Sequence, residues 1–174
     1  MKLKAANLSL VVVMVALAAC SKPLAQRDLS QIALQASDLS GQDLTSHVQT
    51  NPKLTWSELG DGLTTQYNVM HSEEGSGSSI LTEIYVYSDV AHAGQAVAFF
   101  AGKLPGEAVE AAAIGDESHV IRDTNYMLGV NVVAIVWRHK EAVVRLMQFR
   151  PVDQEVVVDT LVQLAKTVES RLSK

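Results

Sequence analysis

The sequence predicts an α+β fold, with an antiparallel sheet of about five to seven strands covered by two or three amphipathic helices. Two pairs of β-rich segments, each joined by a short polar turn, indicate hairpins and therefore antiparallel pairing. Segments with apolar residues at helical spacing precede, separate and follow these hairpins. Such helices bury their apolar stripe by packing on a sheet, so we expect an α/β/α sandwich.

The first half of the chain contains one predicted helix and one predicted hairpin. In the second strand of that hairpin, Ile80, Ile84 and Val86 fall on one face, as the two-residue period of a strand requires. The glycine-rich polar loop before it is typical of a hairpin connection. The elements expected here are a helix over 25–36, ended by 37–41, then a strand over 64–71, the loop 73–79 and a strand over 80–87.

The second half begins with an amphipathic helix and ends with another. Ser88 and Asp89 are good N-cap residues for the first of these. The segment 130–137 is apolar on both faces, which predicts a strand covered above and below. The expected elements are a helix over 93–104, a short strand around 119–121, β-rich runs over 126–138 and 142–150, and a final helix from about Asp153.

The N-terminus has the pattern of an export signal. Lys2 and Lys4 precede an uncharged run of 17 residues over 5–21. A membrane-spanning helix needs about 20 mostly apolar residues, so this length and these flanks suit a cleaved signal better. The apolar run closes on Leu17-Ala18-Ala19-Cys20, which contains the single cysteine of the chain.

These four residues resemble the lipobox of bacterial lipoproteins. The resemblance implies cleavage before Cys20 and attachment of lipid, including acyl chains such as palmitate, at Cys20. It also implies a signal peptide over 1–19, a lipidated N-terminus and tether over 20–29, and a single domain over 30–174. In Gram-negative lipoproteins an aspartate after the cysteine favours the inner membrane. Ser21 therefore points to the periplasmic face of the outer membrane, with the outer face of the cytoplasmic membrane as the alternative.

Charge and composition narrow the classes of partner. Loss of residues 1–19 leaves 155 residues and changes the formal charge from −5 to −7. An acidic domain lacks the electrostatic footprint of a nucleic-acid-binding protein, so no nucleic-acid partner is expected. The sequence shows no polybasic run for anionic lipid either, and we expect the membrane contact to come from the anchor alone.

A second resemblance concerns the mature domain, which is similar to bacterial lipoproteins and sensor-type domains with the PsbP/Mog1 sandwich. The resemblance implies a non-enzymatic assembly factor or extracytoplasmic binding module over most of 30–172. The segments that carry it are 36–41, 84–88 followed by Ala96, Phe99 and Phe100, then 115–117, and last 136–138 with 143–144.

Catalytic signatures give little support to an enzyme. The five histidines form no His-x-x-x-His pair, and the serines of 75–79 interleave with glycines before a strand rather than forming a nucleophile elbow. The alternative is a small hydrolase or metal-binding enzyme with a site assembled from dispersed residues. Its candidates are Asp116, Glu117 and His119 with another histidine, although a capped turn explains them more simply. No catalytic, cofactor or metal residue is assigned.

Two further groups have both a structural and a functional interpretation. The basic tip Arg138-His139-Lys140 is expected in water, where it could also dock a partner. The aromatic residues form either an apolar pocket or ordinary core, namely Trp56, Tyr85, Tyr87, Phe99, Phe100 and Trp137. The function expected is a lipid-anchored extracytoplasmic accessory or binding domain without catalytic activity, acting on an unidentified ligand or envelope protein.

Overall fold

A computed structural model describes residues 22–39, 44–47, 59–126 and 129–174. The predicted signal segment over 1–19, Cys20 and Trp56 lie outside this range. For 44–47 and 125–126 only the backbone is described.

The described residues form an α+β sandwich built on one antiparallel sheet of seven strands, in the order β1-β2-β3-β7-β6-β5-β4. This confirms the predicted fold class. The strands are β1 Leu44–His47, β2 Leu63–Glu73, β3 Ser79–Tyr87, β4 Glu107–Ala108, β5 Glu117–Tyr126, β6 Val130–His139 and β7 Ala142–Pro151. The long helices of the described residues are α1 Val90–Lys103 and α2 Val158–Leu172.

Both faces of the sheet are covered, because β6 and β7 are apolar on each side. Val133, Ile135 and Trp137 of β6 face the larger core, beneath α2 and the N-terminal segment. Val136 of β6 and Val143 of β7 face the smaller core beneath α1. Val132 to Trp137 are all buried, as the continuous apolar run predicted.

Helix α1 begins where the sequence indicates. The Asp89 side chain accepts a hydrogen bond from the backbone N–H of His92 at 3.0 Å and so caps the helix. The buried stripe then follows helical spacing and consists of Ala93, Ala96, Val97 and Phe100. The predicted hairpins also form, β2 pairing with β3 and β6 with β7.

The predicted helix over 25–36 is wrong. The described N-terminal segment forms three short 3₁₀ turns, Leu24–Gln26, Leu29–Gln31 and Ala36–Leu39. Local side chains satisfy the backbone in place of helical bonds. Asp28 accepts from Ser30 N at 3.0 Å, and the Gln35 amide donates to the carbonyl oxygens of Ser30 and Ala33 at 2.6 and 2.9 Å. Such bonds compete with a continuous helix.

Part of the segment 20–29, which was predicted to be a tether, packs on the domain. Leu24 and Leu29 are buried in the larger core, so the packed domain begins at or before Leu24 rather than at residue 30. Arg27 fastens this segment to α2, because its guanidinium donates to the carbonyl oxygens of Arg171 and Leu172 at 2.6 and 2.8 Å.

An ion pair fixes the third turn to the end of α2. Arg171 binds both carboxylate oxygens of Asp38, at 2.7 and 2.8 Å. Burial acts to raise the pKa of Asp38, but the bonds from Arg171 and from the Gln35 N–H outweigh it, and the net pKa is lowered. The pair is therefore formed with the carboxylate charged at neutral pH.

We expect Asp38→Asn to lower the free energy of unfolding by about 1–2 kcal/mol at pH 7, since it removes a charge-assisted bidentate contact. The pKa of Asp38 is lower in the folded state than its usual value of 3.8. The stabilisation is therefore present above pH 3.8 and is lost as the pH falls through the folded-state pKa. Urea unfolding between pH 7 and pH 3 measures this, and the variant should lose less stability over that range. Glu74→Gln, at an exposed loop position, is the control with the same change of charge.

Several boundaries differ from the sequence-based expectations. Strand β5 has ten residues instead of about three, because it pairs with β6 from Glu117 to Tyr126, with one shift of register between Asp123 and Tyr126. The edge strands β1 and β4 were not predicted. Helix α2 starts at Val158 rather than near Asp153. The Asn131 amide donates to the carbonyl oxygens of Val152 and Gln154, which keeps that stretch out of the helix.

Within the described residues, none of the helices combines the length and the apolar character that crossing a bilayer would require.

Candidate functional site

The two carboxylates at the start of β5, Asp116 and Glu117, both form ion pairs with Arg138. Arg138 Nη1 lies 3.0 Å from Asp116 Oδ2, and Arg138 Nε lies 3.7 Å from Glu117 Oε2. His119 Nε2 lies 3.3 Å from the other oxygen of Glu117. Asp116 also accepts from the backbone N–H of Lys140 at 2.7 Å, so it holds the turn between β6 and β7. These contacts fit the capped-turn interpretation.

The same turn requires glycine at position 115. Gly115 has φ +62°, and a Cβ there would lie 2.3 Å from the carbonyl oxygen of Arg138 and 2.9 Å from Trp137 Cδ1. In the described part of the chain, no group of three or more His, Cys, Asp or Glu side chains could hold a metal ion.

The basic tip was expected in water, but two of its three side chains contact carboxylates of the domain. Glu169 of α2 accepts from Trp137 Nε1 at 2.9 Å through one carboxylate oxygen, and its other oxygen lies 2.7 Å from His139 Nδ1. The side chains of His139 and Glu169 are only 12% and 19% exposed. Of the predicted tip, Lys140 is exposed, while Arg138 and His139 are engaged by carboxylates.

A serine, an aspartate and a histidine meet at the N-terminus of α1. His92 Nδ1 lies 2.8 Å from Asp89 Oδ2 and 3.3 Å from Ser88 Oγ. The backbone N–H of His92, and then its ring, lower the pKa of Asp89. A Cβ at Gly62 would lie 2.7 Å from His92 Cγ, so the loop before β2 closely approaches the imidazole.

This cluster does not have the geometry of a hydrolytic triad. In a triad the serine and the carboxylate contact opposite nitrogens of the imidazole. One nitrogen accepts the serine proton, while the N–H on the other nitrogen is bonded to the carboxylate. Here Ser88 and Asp89 share Nδ1. The arrangement instead caps the helix and orients the ring of His92.

A candidate ligand pocket lies beside His92. It has a volume of about 210 Å³ and is lined by Leu59, Gly60, Asp61, His92, Gln95, Ala96 and Phe99. Phe99 is 41% exposed there, which is high for a phenylalanine. A small pocket with an apolar wall, an imidazole and a carboxylate can bind a small polar molecule through a few directed contacts.

The predicted aromatic set is divided by the fold. The ring of Tyr85 in β3 stacks on that of Phe100 in α1 with centroids 5.0 Å apart, and Phe99 meets Phe100 edge-on at 5.7 Å. Trp137 lies on the opposite face of the sheet. The Tyr87 hydroxyl donates to the Leu59 carbonyl at 2.9 Å, and burial raises the pKa of Tyr87 to about 12. Of the residues in this set that the structure describes, Phe99 lines the pocket and the others are core.

A buried polar group on the α1 side of the sheet was missed from the sequence. Glu83 of β3 and Arg145 of β7 are cross-strand partners, and Arg145 Nε bonds Glu83 Oε2. Arg145 also lies over the ring of Phe100, 5.1 Å from its centroid. Burial, followed by the charge of Glu83, raises the pKa of Tyr85, so its hydroxyl remains protonated. Charged residues at inward positions of two alternating strands were the available signal.

His71 has a structural role. It is buried, and its Nε2 lies 3.1 Å from the carbonyl oxygen of Leu34, where it links β2 to the N-terminal segment. His47 lies in β1, for which only the backbone is described. The loop between β2 and β3 forms an ordinary hairpin connection, as predicted.

Comparison with known proteins finds a solved structure with a similar fold. No family model and no curated protein matches the sequence. Among solved structures, the extracellular domain of PknH from Mycobacterium tuberculosis superposes with a TM-score of 0.59. The match covers 83% of this chain and 94% of that domain, at 10% sequence identity. Two proteins this dissimilar in sequence share an architecture. The likeness carries no site residues from one to the other.

Proposed function

We propose that this chain is an extracytoplasmic domain, held at a membrane surface by lipid on Cys20, that acts by binding rather than by catalysis. The lipobox Leu17-Ala18-Ala19-Cys20 is the observation that carries the proposal. A domain of the same architecture forms the extracellular part of PknH, which supports an extracytoplasmic role for such a sandwich. The sequence resemblance to PsbP/Mog1-type lipoproteins points the same way.

The environment of the titratable side chains favours binding over chemistry. The carboxylates proposed for an enzymatic alternative, Asp116 and Glu117, are both engaged by Arg138. The pocket beside His92 offers recognition groups, but the shared Nδ1 contact supplies no activated nucleophile. We therefore assign the pocket lined by Asp61, His92 and Phe99 as the binding site for a ligand or for a side chain of an envelope protein.

Replacement of Cys20 by serine should abolish membrane attachment. One acyl chain gives marginal binding and two or more hold firmly, so removal of the acceptor sulfur should release nearly all of the domain from the lipid. Detergent phase separation of cells making each form, with mass spectrometry of the N-terminal peptide, measures the effect. We expect the wild type in the detergent phase with acyl groups on Cys20, and C20S unacylated.

The matched control is Ser21→Ala, which changes the adjacent side chain and keeps the thiol. It should be acylated and should remain in the detergent phase. An unmodified Cys20 in wild-type material would contradict the proposal. Separation of the two membranes by density then shows which of them contains the protein. We propose the periplasmic face of the outer membrane rather than the outer face of the cytoplasmic membrane.

A further inference from the structure

A second cavity lies where the mature chain emerges from its anchor. It has a volume of about 330 Å³ and is formed by residues 22–32 together with the end of α2. Four of its lining residues are cations, namely Lys22, Arg27, Arg171 and Lys174. We refer to this cavity and these four residues as the basic cleft. The charge of these four side chains is opposite in sign to the net charge of the chain, which is −5.

Only part of this charge is compensated within the domain. Asp38 pairs with Arg171, and among the described lining residues Asp28 has the one carboxylate side chain. Arg27 binds two backbone carbonyl oxygens, which are neutral acceptors and leave its charge and several N–H donors available. Lys22 and Lys174 are exposed, and no described residue forms a hydrogen bond or ion pair with either ammonium.

The distance from the anchor is short. Lys22 follows Cys20 by two residues. An extended chain spans at most about 3.5 Å per residue, so the Cα atom of Lys22 lies within about 7 Å of that of the lipidated residue. The segment cannot swing away from the domain, because Leu24 and Leu29 are buried in the core and Arg27 is bonded to α2. The cleft must then lie at the membrane surface whenever Cys20 is acylated.

We propose that the basic cleft docks the phosphate headgroups of anionic phospholipids beside the anchor and so fixes the orientation of the domain on the membrane. The inference rests on the proposed lipidation of Cys20. It replaces the expectation that the anchor alone makes the membrane contact. Net charge and continuous basic runs gave no sign of this cleft, because its cations come from two segments that are far apart in sequence and adjacent in the fold. The pocket beside His92 lies on the opposite side of the sheet and stays clear of the bilayer.

Hydrogen–deuterium exchange of the full acylated protein in lipid nanodiscs tests this. The discs contain phosphatidylcholine alone or with about 30% phosphatidylglycerol, a fraction chosen to give a strongly anionic surface. Each basic residue at such a surface strengthens docking by about fivefold. We expect amides of 22–31 and 169–174 to exchange at least about fivefold more slowly on the anionic discs. High salt, which shortens the screening length, should remove the difference.

Lys22→Glu is the informative variant, and Lys103→Glu is its matched control. Both reverse one exposed lysine, but Lys103 lies in α1, on the opposite face of the sheet. Lys22→Glu should abolish the difference between the two kinds of disc, and Lys103→Glu should keep it. Equal exchange on both discs for the wild type, or equal effects of the two variants, would overturn the proposal.

Two further outcomes are separable. If inorganic phosphate added to phosphatidylcholine discs slows exchange as much as the anionic lipid does, the cleft binds free anions and the assignment to lipid is wrong. If the protein fails to co-elute with discs of either composition, the anchor itself is absent, and the proposed function falls together with this inference. Co-elution without a difference in exchange refutes the cleft alone.

Discussion

Replacing Arg145 by methionine is expected to lower the free energy of unfolding by about 3 kcal/mol, the lower end of the range for breaking a buried ion pair. The Glu83 side chain is 6% exposed, and without Arg145 its charge would remain on the sheet without its partner. The lower end applies because Arg145 itself is 21% exposed and water can partly replace it. Methionine retains much of the apolar stem that covers Phe100, so loss of packing is limited.

Urea unfolding at pH 7, followed by circular dichroism, measures this effect. Arg122→Met is the control, since Arg122 is an exposed arginine on β5, and its replacement should cost less than about 0.5 kcal/mol. The double variant Glu83→Leu, Arg145→Met should recover most of the loss, because a well-packed apolar pair can replace a buried ion pair. A single variant as stable as the wild type would show that Glu83 is solvated in solution.

Truncation of Trp137 to alanine should have an effect of similar or larger size, about 3–5 kcal/mol, as expected for loss of a buried aromatic residue. Trp137 is fully buried in the larger core. Its indole N–H also donates to Glu169, whose other oxygen binds His139. Removal of the ring would therefore leave a cavity between β6 and α2 and remove one of the bonds that hold the hairpin tip to the helix.

Trp137→Phe separates the two contributions. Phenylalanine keeps an aromatic ring in the cavity but cannot donate to Glu169, so we expect a smaller loss of about 1–2 kcal/mol. Thermal and urea unfolding of both variants give the comparison. If both variants lost the same stability, the hydrogen bond would dominate over the volume of the ring, contrary to our expectation.

The parts of the fold that are local in sequence were predictable. The hairpins follow from two alternating or apolar runs joined by short polar loops, and α1 follows from a cap at Asp89 with a stripe ending near Phe100. The N-terminal segment has helical spacing too, yet it forms separate turns. There the apolar residues point into a core whose shape the sheet determines, and side chains such as Asp28 and Gln35 take the backbone bonds.

The candidate sites were less predictable because their members are distant in sequence. The pocket joins Asp61 in a loop to His92 and Phe99 in α1. The basic cleft joins Lys22 to Lys174, and no window along the chain contains both. The pair of Glu83 and Arg145 depends on strand register, which sets two charges opposite each other only after β3 and β7 are adjacent.

The sequence by itself determined the fold class and gave the resemblance to a lipobox, because periodicity and short motifs are local patterns that need no partner elsewhere. Tertiary structure decided what the dispersed polar residues do. It engaged Asp116 and Glu117 with Arg138, set Ser88 and Asp89 on the same nitrogen of His92, and gathered cations at one end of an acidic domain. The physical reason is that electrostatic interactions depend on distance through space, which the order of residues along the chain does not give.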